Sequence, residues 1–546
     1  EKPNEIPAAR YAVAANRPPD EIEPWYGPPR GFDFEREVQP VLDKYCLACH
    51  NTDSPKGPSK QQIADLRSER YARDYRGREL TKLGATRLHP AARKALGGTA
   101  VRYTPAYEAL LPYIRRVNIE DHVGLLVPGE YHADTSELVQ MLEKGHYNVN
   151  LDKEAWDRLF TWIDLNGPCH GAWGDVCPIP DNGAQRRREL KQRYGGPKDD
   201  PEGPVKTARR SVEPIVPKPM PETERQVPKL TDWPFDAEQA RNRQRAVELF
   251  ERTIELGGGV RMKLAWIPAG EFVIGDPNGE IDERPASRVS IRRGFWMGVC
   301  EVTNEQYHRF DGDHDSGLFT KRFQGPDGPG LSLGGPKQPV VRVSWIRAEA
   351  FCKWLSEKTG EQFSLPTEAQ WEYACRAGSH TALSYGDVTE DFSQSANVAD
   401  KSLSVRPGPT GGLESSISAH FGKGILESAV YGGNILCDAR FSDGAVATSD
   451  VGRYRANPWG LQDMHGNACE WTRTAYRLYP YNPGDGREDR TEAGRKVVRG
   501  GSWCDRPERC RSSFRLSYPP WQRVHNVGFR VIAEASAAKG AYVASP

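Results

Sequence analysis

Apolar residues recur every three to four positions in the first third of the chain and alternate in short runs in the last third. The first pattern predicts helices, which include Val38–Leu42, Leu138–Leu142 and Trp156–Ile163. Residues 167–235 are rich in Pro, Gly, Arg and Asp and lack a sustained apolar period, as linkers do, apart from a basic helix predicted at Gln185–Tyr194. We therefore expect a small all-α domain followed by a Pro-rich linker.

The last third predicts a mixed α+β domain, because short runs, aromatic residues and Gly/Pro turns dominate it. A charged helix is predicted from Asp236 to the break at Gly257-Gly-Gly259, and further helices at Trp345–Thr359 and at Thr367–Ala377, which starts with a capping box. The expected divisions are an N-terminal extension (1–31), the all-α domain (32–166), the linker (167–235), a connecting helix (236–259), the mixed domain (260–535) and a tail (536–546).

The charge balance says little about partners. Lys plus Arg and Asp plus Glu both number 74, which gives no electrostatic reason to expect nucleic acid or an anionic membrane. No apolar run approaches the roughly 20 residues that cross a bilayer. The first residues lack the apolar core of a signal peptide, so we expect an export signal to have been removed before Glu1. The sequence does not indicate the oligomeric state.

The most specific motif is Cys46-Leu-Ala-Cys49-His50. Two thiols one helical turn apart can bond the vinyl groups of a haem while the adjacent imidazole reaches the iron, so the motif predicts one covalent haem c. Two alternatives are weaker. A structural zinc needs four ligands and no second Cys/His pair follows at suitable spacing, and a thioredoxin-like pair would need a βαβ pattern around it.

The surroundings of the motif carry a resemblance. The approach Phe34–Leu42 and the ending Trp162–Asp164 resemble the single-haem c-type cytochrome modules of large exported bacterial proteins. The resemblance implies a periplasmic or otherwise exported protein that exchanges electrons with a redox partner protein. The segment Gly129–Gly171 also looks like a haem-bearing part of the hydrazine synthase alpha subunit, which does not transfer that activity.

The motif supplies the fifth iron ligand, His50, and the sixth has several candidates. Such modules usually supply a Met before the last helix, but this chain has His146 at that place, so His146 is our candidate and His132 and Met141 are its rivals. Bis-His ligation would lower the reduction potential relative to His/Met ligation, as suits electron relay. An open sixth position would favour ligand binding or catalysis instead.

The C-terminal part contains an ordered series of motifs that resembles the formylglycine-generating enzyme (sulfatase-modifying factor) family over about residues 260–533. The motifs are Trp266–Phe272, Glu301–Tyr307, Pro339–Trp345, Leu365–Tyr373, Asn457–Leu461, His465–Trp471, Arg499–Trp503 and Gly528–Arg530. The resemblance implies a mixed α+β fold akin to C-type lectins. Most of the aromatic residues in these motifs are expected to be core.

In the enzymes of this family two cysteines after the Gly-Gly-Ser motif bind copper and activate oxygen. Here Ser502 and Cys510 match the family positions, but Asp505 stands at the first cysteine position and Cys504 lies one residue early. Two thiolates would suit Cu(I), so Ser502, Cys504 and Cys510 are weak catalytic candidates. A Cys504–Cys510 disulfide or buried free thiols are the alternatives.

The resemblance also implies calcium. Asn467 and Glu470 match one family calcium site, and Asn397 and Asp443 a second one. Oxygen donors suit this hard cation, although the same residues could instead hydrogen-bond loop backbone.

Three functions follow from these features. The first is an exported haem protein acting in electron transfer or redox chemistry, whose C-terminal domain lacks the standard copper chemistry. The second is a binding or scaffold module with a haem relay. The third is a copper-dependent formylglycine-forming oxidase, which Asp505 disfavours.

Overall fold

The protein is represented by a computed structural model. It describes residues 25–27, 30–51, 66, 68, 71–73, 79–82, 104–117, 127, 129–171, 183–195, 212–218, 221, 225–325, 328–404, 425–427 and 435–534. These residues fall into two compact units, one from segments 1–37 and 168–210 and one from segments 38–167 and 211–546. Within these ranges no helix is long and apolar enough to span a lipid bilayer.

The helices are mostly short. In chain order they are α1 (Phe34–Glu37), α2 (Gln39–Tyr45), α3 (Pro105–Leu110), α4 (Glu137–Glu143), α5 (Lys153–Asp164), α6 (Gly183–Tyr194), α7 (Ala237–Gln244), α8 (Asn304–Tyr307), α9 (Trp345–Thr359), α10 (Glu368–Arg376) and α11 (Lys401–Ser404). In the first unit, which contains α1 and α6, Arg30 pairs with Glu37 at 2.6 Å. The other helices belong to the second unit.

The strands form small, mainly antiparallel sheets in the second unit. They are β1 (Tyr71–Arg73), β2 (Glu79–Lys82), β3 (Glu251–Gly257), β4 (Val260–Ile267), β5 (Gly270–Ile274), β6 (Ser287–Ile291), β7 (Phe295–Gly298), β8 (Leu318–Gly325), β9 (Gly328–Ser332), β10 (Phe363–Ser364), β11 (Ile425–Glu427), β12 (Leu436–Asp438), β13 (Cys469–Ala475), β14 (Lys496–Arg499), β15 (Leu516–Tyr518), β16 (Val527–Gly528) and β17 (Ile532–Glu534).

Two larger sheets organise the mixed domain. One has the strand order β10-β17-β7-β4-β3 and is antiparallel throughout, and the other has the order β15-β14-β13-β16, in which β13 and β16 are parallel. Strands β5 and β6 form a separate pair. Large buried aromatic residues fill the space around these sheets, including Trp371 and Trp459 in one apolar cluster and Trp471 in another. The predicted mixed α+β architecture of the C-terminal part is therefore confirmed.

The prediction of a connecting helix over residues 236–259 is correct only for its first part. Helix α7 starts at the capping box of Asp236 and ends at Gln244, and β3 follows it. Residues Glu251–Leu256 alternate between more and less exposed positions, and the strand pairs with β4, with Ile254 opposite Met262. The spacing of Ala246, Phe250 and Ile254 suggested a helix, but pairing with a neighbouring strand decides the conformation.

The break at Gly257-Gly-Gly259 is a tight hairpin turn between β3 and β4. All three glycines have positive φ angles, of 87°, 62° and 79°. Residues with a Cβ atom rarely adopt this region, so the three glycines are what allows the chain to reverse here.

The predicted helices in the rest of the chain are largely found. Helix α9 has the predicted bounds, α10 starts at the predicted capping box of Thr367, and α6 contains the predicted basic helix. The described part of residues 32–166 is mainly helical, but it also contains the β1–β2 hairpin, which the all-α prediction did not include. Strands of three and four residues are too short for a visible alternation. The cytochrome c-like domain and the domain bounds stay predictions.

Candidate functional site

The Cys-x-x-Cys-His motif forms one turn directly after α2. The backbone N–H groups of Cys49 and His50 both donate to the carbonyl oxygen of Cys46, at 3.1 and 2.9 Å. The turn carries both thiols and, one residue after the second thiol, the imidazole. Burial raises the pKa of the Cys46 thiol to about 12, whereas Cys49 is exposed.

The structure brings His146 next to His50. The centroids of the two imidazole rings are 6.1 Å apart and their planes differ by 34°. A metal–imidazole bond is about 2 Å long and a ring nitrogen lies about 1.2 Å from its centroid, so two imidazoles on opposite sides of one metal would have centroids about 6.4 Å apart. The observed spacing is close to this value, so both rings could hold one metal.

The loop that carries His146 has an unusual backbone. Gly145, Tyr147 and Asn148 have positive φ angles of 84°, 47° and 66°. A bulky residue such as Tyr147 adopts this region only when its surroundings enforce it, and such strain is common at functional sites. One contact that enforces the turn is the Asn148 side-chain amide, which donates to the carbonyl oxygen of Lys218 at 2.8 Å.

The environment of His146 keeps its ring neutral. Burial and the nearby His50 lower the pKa of His146 to about 4. The neutral imidazole is the form that binds a metal. The rival His132 is more than half exposed and contacts Asp134 at 2.9 Å, so of the two candidate histidines only His146 is brought next to His50.

A cavity of about 440 Å³ is lined on one side by Tyr45 of α2 and by Asn148–Asn150, the residues that follow the His146 turn. Its other wall is the linker segment Ile215–Lys218, whose Ile215 N–H donates to the carbonyl oxygen of Lys44 at 2.8 Å. The residue types at Cys46–His50 and at His146 are therefore those that could hold a haem.

The Gly-Gly-Ser motif of the C-terminal domain follows β14. Ser502 donates to the Asp505 carboxylate at 2.6 Å, and Asp505 forms an ion pair with Arg509 at 2.8 Å. The side-chain amide of Asn526 donates to the Ser502 hydroxyl oxygen at 2.8 Å. Asp505, at the position of the first family cysteine, is thus held by its own hydrogen bonds.

The structure places Cys504 and Cys510 in different surroundings. The Cys504 Sγ atom lies 3.7 Å from Nε2 of His525, whereas Cys510 is fully buried in an apolar cluster with Leu383 and Phe392. Both are free thiols, so the disulfide alternative is not formed. Burial raises the pKa of Cys504 to about 12 and that of Cys510 well above its usual value.

Within the described residues, the one cluster of three or more His, Cys, Asp or Glu side chains that could hold a metal consists of Glu280, Asp282 and Glu283. This acidic turn is already neutralised, because Lys144 lies 2.8 Å from Glu280 and Arg511 lies 2.6 Å from Glu283. Within the described residues, Cys504 and Cys510 do not belong to a cluster of three or more such ligands.

His525, Arg115 and Glu130 form contacts in this region that the sequence did not predict. His525 is buried, and its Nδ1 atom lies 3.5 Å from Glu130 and 2.8 Å from the Arg115 guanidinium. Burial and the two arginines Arg115 and Arg342 hold the pKa of His525 well below 6.5. No local signal identifies these contacts, because they join residues about 400 positions apart.

The predicted haem region docks on the C-terminal domain through polar contacts within the second unit. Glu130 forms a buried ion pair with Arg342 at 3.1 Å. Helix α4 adds Glu137, which pairs with Arg506 at 2.7 Å, and Gln140, which accepts from Arg509 at 2.5 Å. Charged groups on both sides therefore fix where α4 lies, next to the loop that carries Cys504.

The two predicted calcium sites differ in their fit. Both carboxylate oxygens of Glu470 are bound by Arg530, at 2.6 Å, and one also accepts from Trp371. A guanidinium already neutralises this carboxylate, so Glu470 with Asn467 does not fit a calcium ion.

The second predicted pair fits better. Asn397 Oδ1 is buried and has no hydrogen-bond partner in the described part of the chain. Asp443 lies close by, since its carboxylate accepts from the N–H of Val398 at 2.8 Å. Burial and the neighbouring Asp400 raise the pKa of Asp443 to about 7. The amide oxygen of Asn397 and the carboxylate of Asp443 are the donor types that calcium takes.

The comparisons with known proteins concern the C-terminal half. The chain is 27% identical over 322 residues to a formylglycine-generating enzyme from Bos taurus, which covers 50% of the chain and 75% of the relative. It is 25% identical over 334 residues to an inactive C-alpha-formylglycine-generating enzyme 2 from Bos taurus, with coverages of 53% and 94%. Active and inactive relatives thus match about equally well.

A hercynine oxygenase from Mycolicibacterium smegmatis is 26% identical, with coverages of 50% of the chain and 61% of the relative. Among solved structures, PvdO from Pseudomonas aeruginosa covers 53% of the chain and all of its own at 24% identity, with a TM-score of 0.39. The family model "Sulfatase-modifying factor enzyme 1-like domain" matches residues 261–535, within two residues of the bounds expected from the motifs. The chain therefore belongs to the sulfatase-modifying factor enzyme 1-like family.

Proposed function

We propose that the protein is an exported c-type haem protein that acts in electron transfer and carries a C-terminal domain without the standard copper chemistry. Cys46 and Cys49 would hold the haem covalently, and His50 and His146 would be its axial ligands. The observation that carries this proposal is the 6.1 Å spacing of the two imidazoles.

A bound haem would supply a one-electron redox centre, with a low potential under bis-His ligation. The chain's own residues would fix its surroundings. The turn at Cys46–His50 would position the His50 ring toward the haem iron, and the loop at Gly145–Asn148 would position the ring of His146. Covalent haem attachment implies an exported, periplasmic location and a redox partner protein, which the balanced charge does not specify further.

The test is spectroscopic. Reduced pyridine haemochrome of the purified chain should give a c-type band, and its absence would reject the proposal. His146→Ala should remove the low-spin Soret and alpha bands, because the iron loses its sixth ligand, while His132→Ala should leave them unchanged. An unaltered spectrum in His146→Ala would reject bis-His ligation.

The second candidate is a copper-dependent oxidase, which the match to formylglycine-generating enzymes favours. Ser502 and Cys510 stand at the family positions, and Cys504 would have to replace the family cysteine that is Asp505 here. Copper titration with mass and oxygen-uptake readouts, on the natural chain and on Cys510→Ser, tests it. Oxygen uptake that Cys510→Ser abolishes would support the oxidase, and no uptake would favour the non-catalytic binding or scaffold role.

We also propose that calcium binds at one of the two predicted sites, the one with Asn397 and Asp443. Asn397 and Asp443 would contribute oxygen ligands that stabilise the loops around them. Calcium should raise the melting temperature of the natural chain, and Asp443→Asn should reduce that increase. No calcium effect on melting would remove this site from the proposal.

A further inference from the structure

A cavity of about 90 Å³ lies beside Cys504, where the segment after α3 and helix α4 meet the C-terminal domain. We call it the Arg115 cavity. Its polar lining includes Arg115, Glu137, Cys504, Arg509, His525 and Asn526. All of these residues belong to the second unit. The haem residues do not line it, so what it binds is a separate question from the proposed haem.

The guanidinium of Arg115 makes polar contacts with the described residues through one of its three nitrogen atoms. Its Nη1 atom lies 2.8 and 3.0 Å from the two ring nitrogens of His525, and its plane packs on Tyr131 and Phe319. Its Nε and Nη2 atoms are buried and have no hydrogen-bond partner within the described residues. These two atoms form the edge of a guanidinium that binds both oxygens of a carboxylate through parallel N–H bonds.

A second buried group in the cavity also lacks a partner. Asn526 is 6% exposed, and its Oδ1 atom accepts no hydrogen bond from the described part of the chain. Its Nδ2 atom is already committed to Ser502 and Cys504, at 2.8 and 3.3 Å. Buried polar groups are normally satisfied, so the cavity offers a ligand two donors at Arg115 and one acceptor at Asn526.

The charges of the lining favour a monovalent anion. Three arginines (Arg115, Arg506 and Arg509) face two carboxylates (Glu137 and Asp505), which leaves one positive charge in excess. Glu137 and Asp505 are paired with Arg506 and Arg509, so the excess charge resides on Arg115. A doubly charged anion such as sulfate would remain uncompensated here.

We propose that the Arg115 cavity binds a small monocarboxylate that also carries a hydroxyl or amino donor. The carboxylate occupies the Nε–Nη2 edge of Arg115, and the donor group reaches Oδ1 of Asn526. The ligand then lies beside the Cys504 thiol and shields it. This makes the cavity a small-molecule site of the C-terminal domain that α4 helps to enclose.

The experiment measures how fast Cys504 of the folded, haem-loaded chain is alkylated by neutral iodoacetamide, using peptide mass spectrometry. Sodium glycolate, a carboxylate with one hydroxyl, should slow the reaction at least fivefold at about 10 mM, whereas sodium chloride at the same concentration should not. Arg115→Gln should abolish the protection. The neighbouring Arg116→Gln removes the same charge outside the cavity and should leave it intact.

A second readout does not depend on a variant that folds. Iodoacetate carries the proposed carboxylate itself, so the ratio of its rate to that of iodoacetamide at Cys504 should be several-fold higher in the folded chain than in urea. Equal ratios together with no protection by glycolate would overturn the proposal. Equal protection by sodium sulfate would overturn the assignment to a monocarboxylate. Neither result bears on the haem, which is assayed by its own spectrum.

Discussion

The region predicted to hold a haem (residues 32–166, here called the haem region) and the C-terminal domain are stabilised by different kinds of charge pairs. In the C-terminal domain Arg530 and Glu470 form an ion pair whose side chains are fully buried, as do Arg515 and Glu368. In the haem region the comparable pairs lie at the surface, such as Lys44 with Asp152 and Arg158 with Glu154. Removing one partner of a buried pair leaves an uncompensated charge in the interior and costs several kcal/mol, whereas an exposed pair contributes little. The two regions should therefore respond differently to mutation.

Removing the haem attachment should give the largest contrast. Cys46→Ala with Cys49→Ala should abolish covalent haem completely, because no thiol remains to bond it. The cooperative melting of the C-terminal domain, followed by near-ultraviolet circular dichroism of its buried tryptophans, should change little. A haem stain after denaturing electrophoresis measures the first effect.

Cys300→Ala in the C-terminal domain is the matched control and should keep the haem stain. Covalent haem in the double variant would contradict the attachment site. A large fall of the C-terminal melting temperature in that variant would show that the C-terminal domain depends on the haem for its stability.

Breaking a buried ion pair should cost the C-terminal domain several kcal/mol. Glu470→Gln keeps the shape of the side chain but leaves the Arg530 guanidinium buried beside a neutral amide. The expected loss in the free energy of unfolding is about 3–5 kcal/mol. Urea unfolding measures it. The surface control Glu154→Gln, which removes the partner of Arg158, should cost only a few tenths of a kcal/mol. Similar losses of unfolding free energy in both variants would contradict the difference between buried and exposed ion pairs.

Local sequence patterns predicted the elements that depend on local hydrogen bonds. Helix α10 begins where Thr367 and Gln370 cap each other's backbone, and the motif at Cys46–His50 forms the turn that its spacing requires. The family motifs located the C-terminal domain, since glycine and tryptophan positions in a loop-rich fold are highly specific.

Features that depend on contacts between distant residues could not be predicted. Residues Phe250–Leu256 have helix-like spacing, yet the partner strand β4 makes them a strand. Glu470 was a calcium candidate in the sequence, but it pairs with Arg530 in the structure. This pair could not be predicted, because 60 positions separate the two residues. The contacts of His525 with Arg115 and Glu130 join the two regions and leave no trace in the local sequence.

The buried His465 should make the C-terminal domain sensitive to acid. Burial lowers its pKa to about 4. The neutral ring is required, because Nε2 accepts from the N–H of Ser384 at 3.0 Å while Nδ1 lies 2.8 Å from the carbonyl oxygen of Cys510. Between pH 6.5 and 4 the unfolded chain binds a proton that the folded chain excludes, so stability falls as the pH falls through this window, by about 3 kcal/mol.

The difference between the natural chain and His465→Gln isolates this effect, because other titrating groups are common to both. Urea unfolding at pH 7 and pH 4.5 should show a smaller loss in the variant. The exposed His380→Gln should behave like the natural chain. Equal losses in the natural chain and in His465→Gln would show that the ring does not titrate as its surroundings imply.

The smallest effect is expected at the Lys44–Asp152 pair of the haem region. The two charges are 2.8 Å apart, but the side chains are 37% and 51% exposed, so water and salt screen them. Lys44→Gln should therefore lower the free energy of unfolding by less than about 1 kcal/mol, and 0.5 M salt should remove most of the difference.

Asp152→Ala should cost more, about 1–2 kcal/mol, because this carboxylate also accepts from the N–H of Ala155 and caps α5. That excess should persist at high salt, since it comes from a hydrogen bond rather than from the ion pair. If Lys44→Gln cost as much as Asp152→Ala, the haem region would be stabilised by its surface charges, and the contrast with the C-terminal domain would fail.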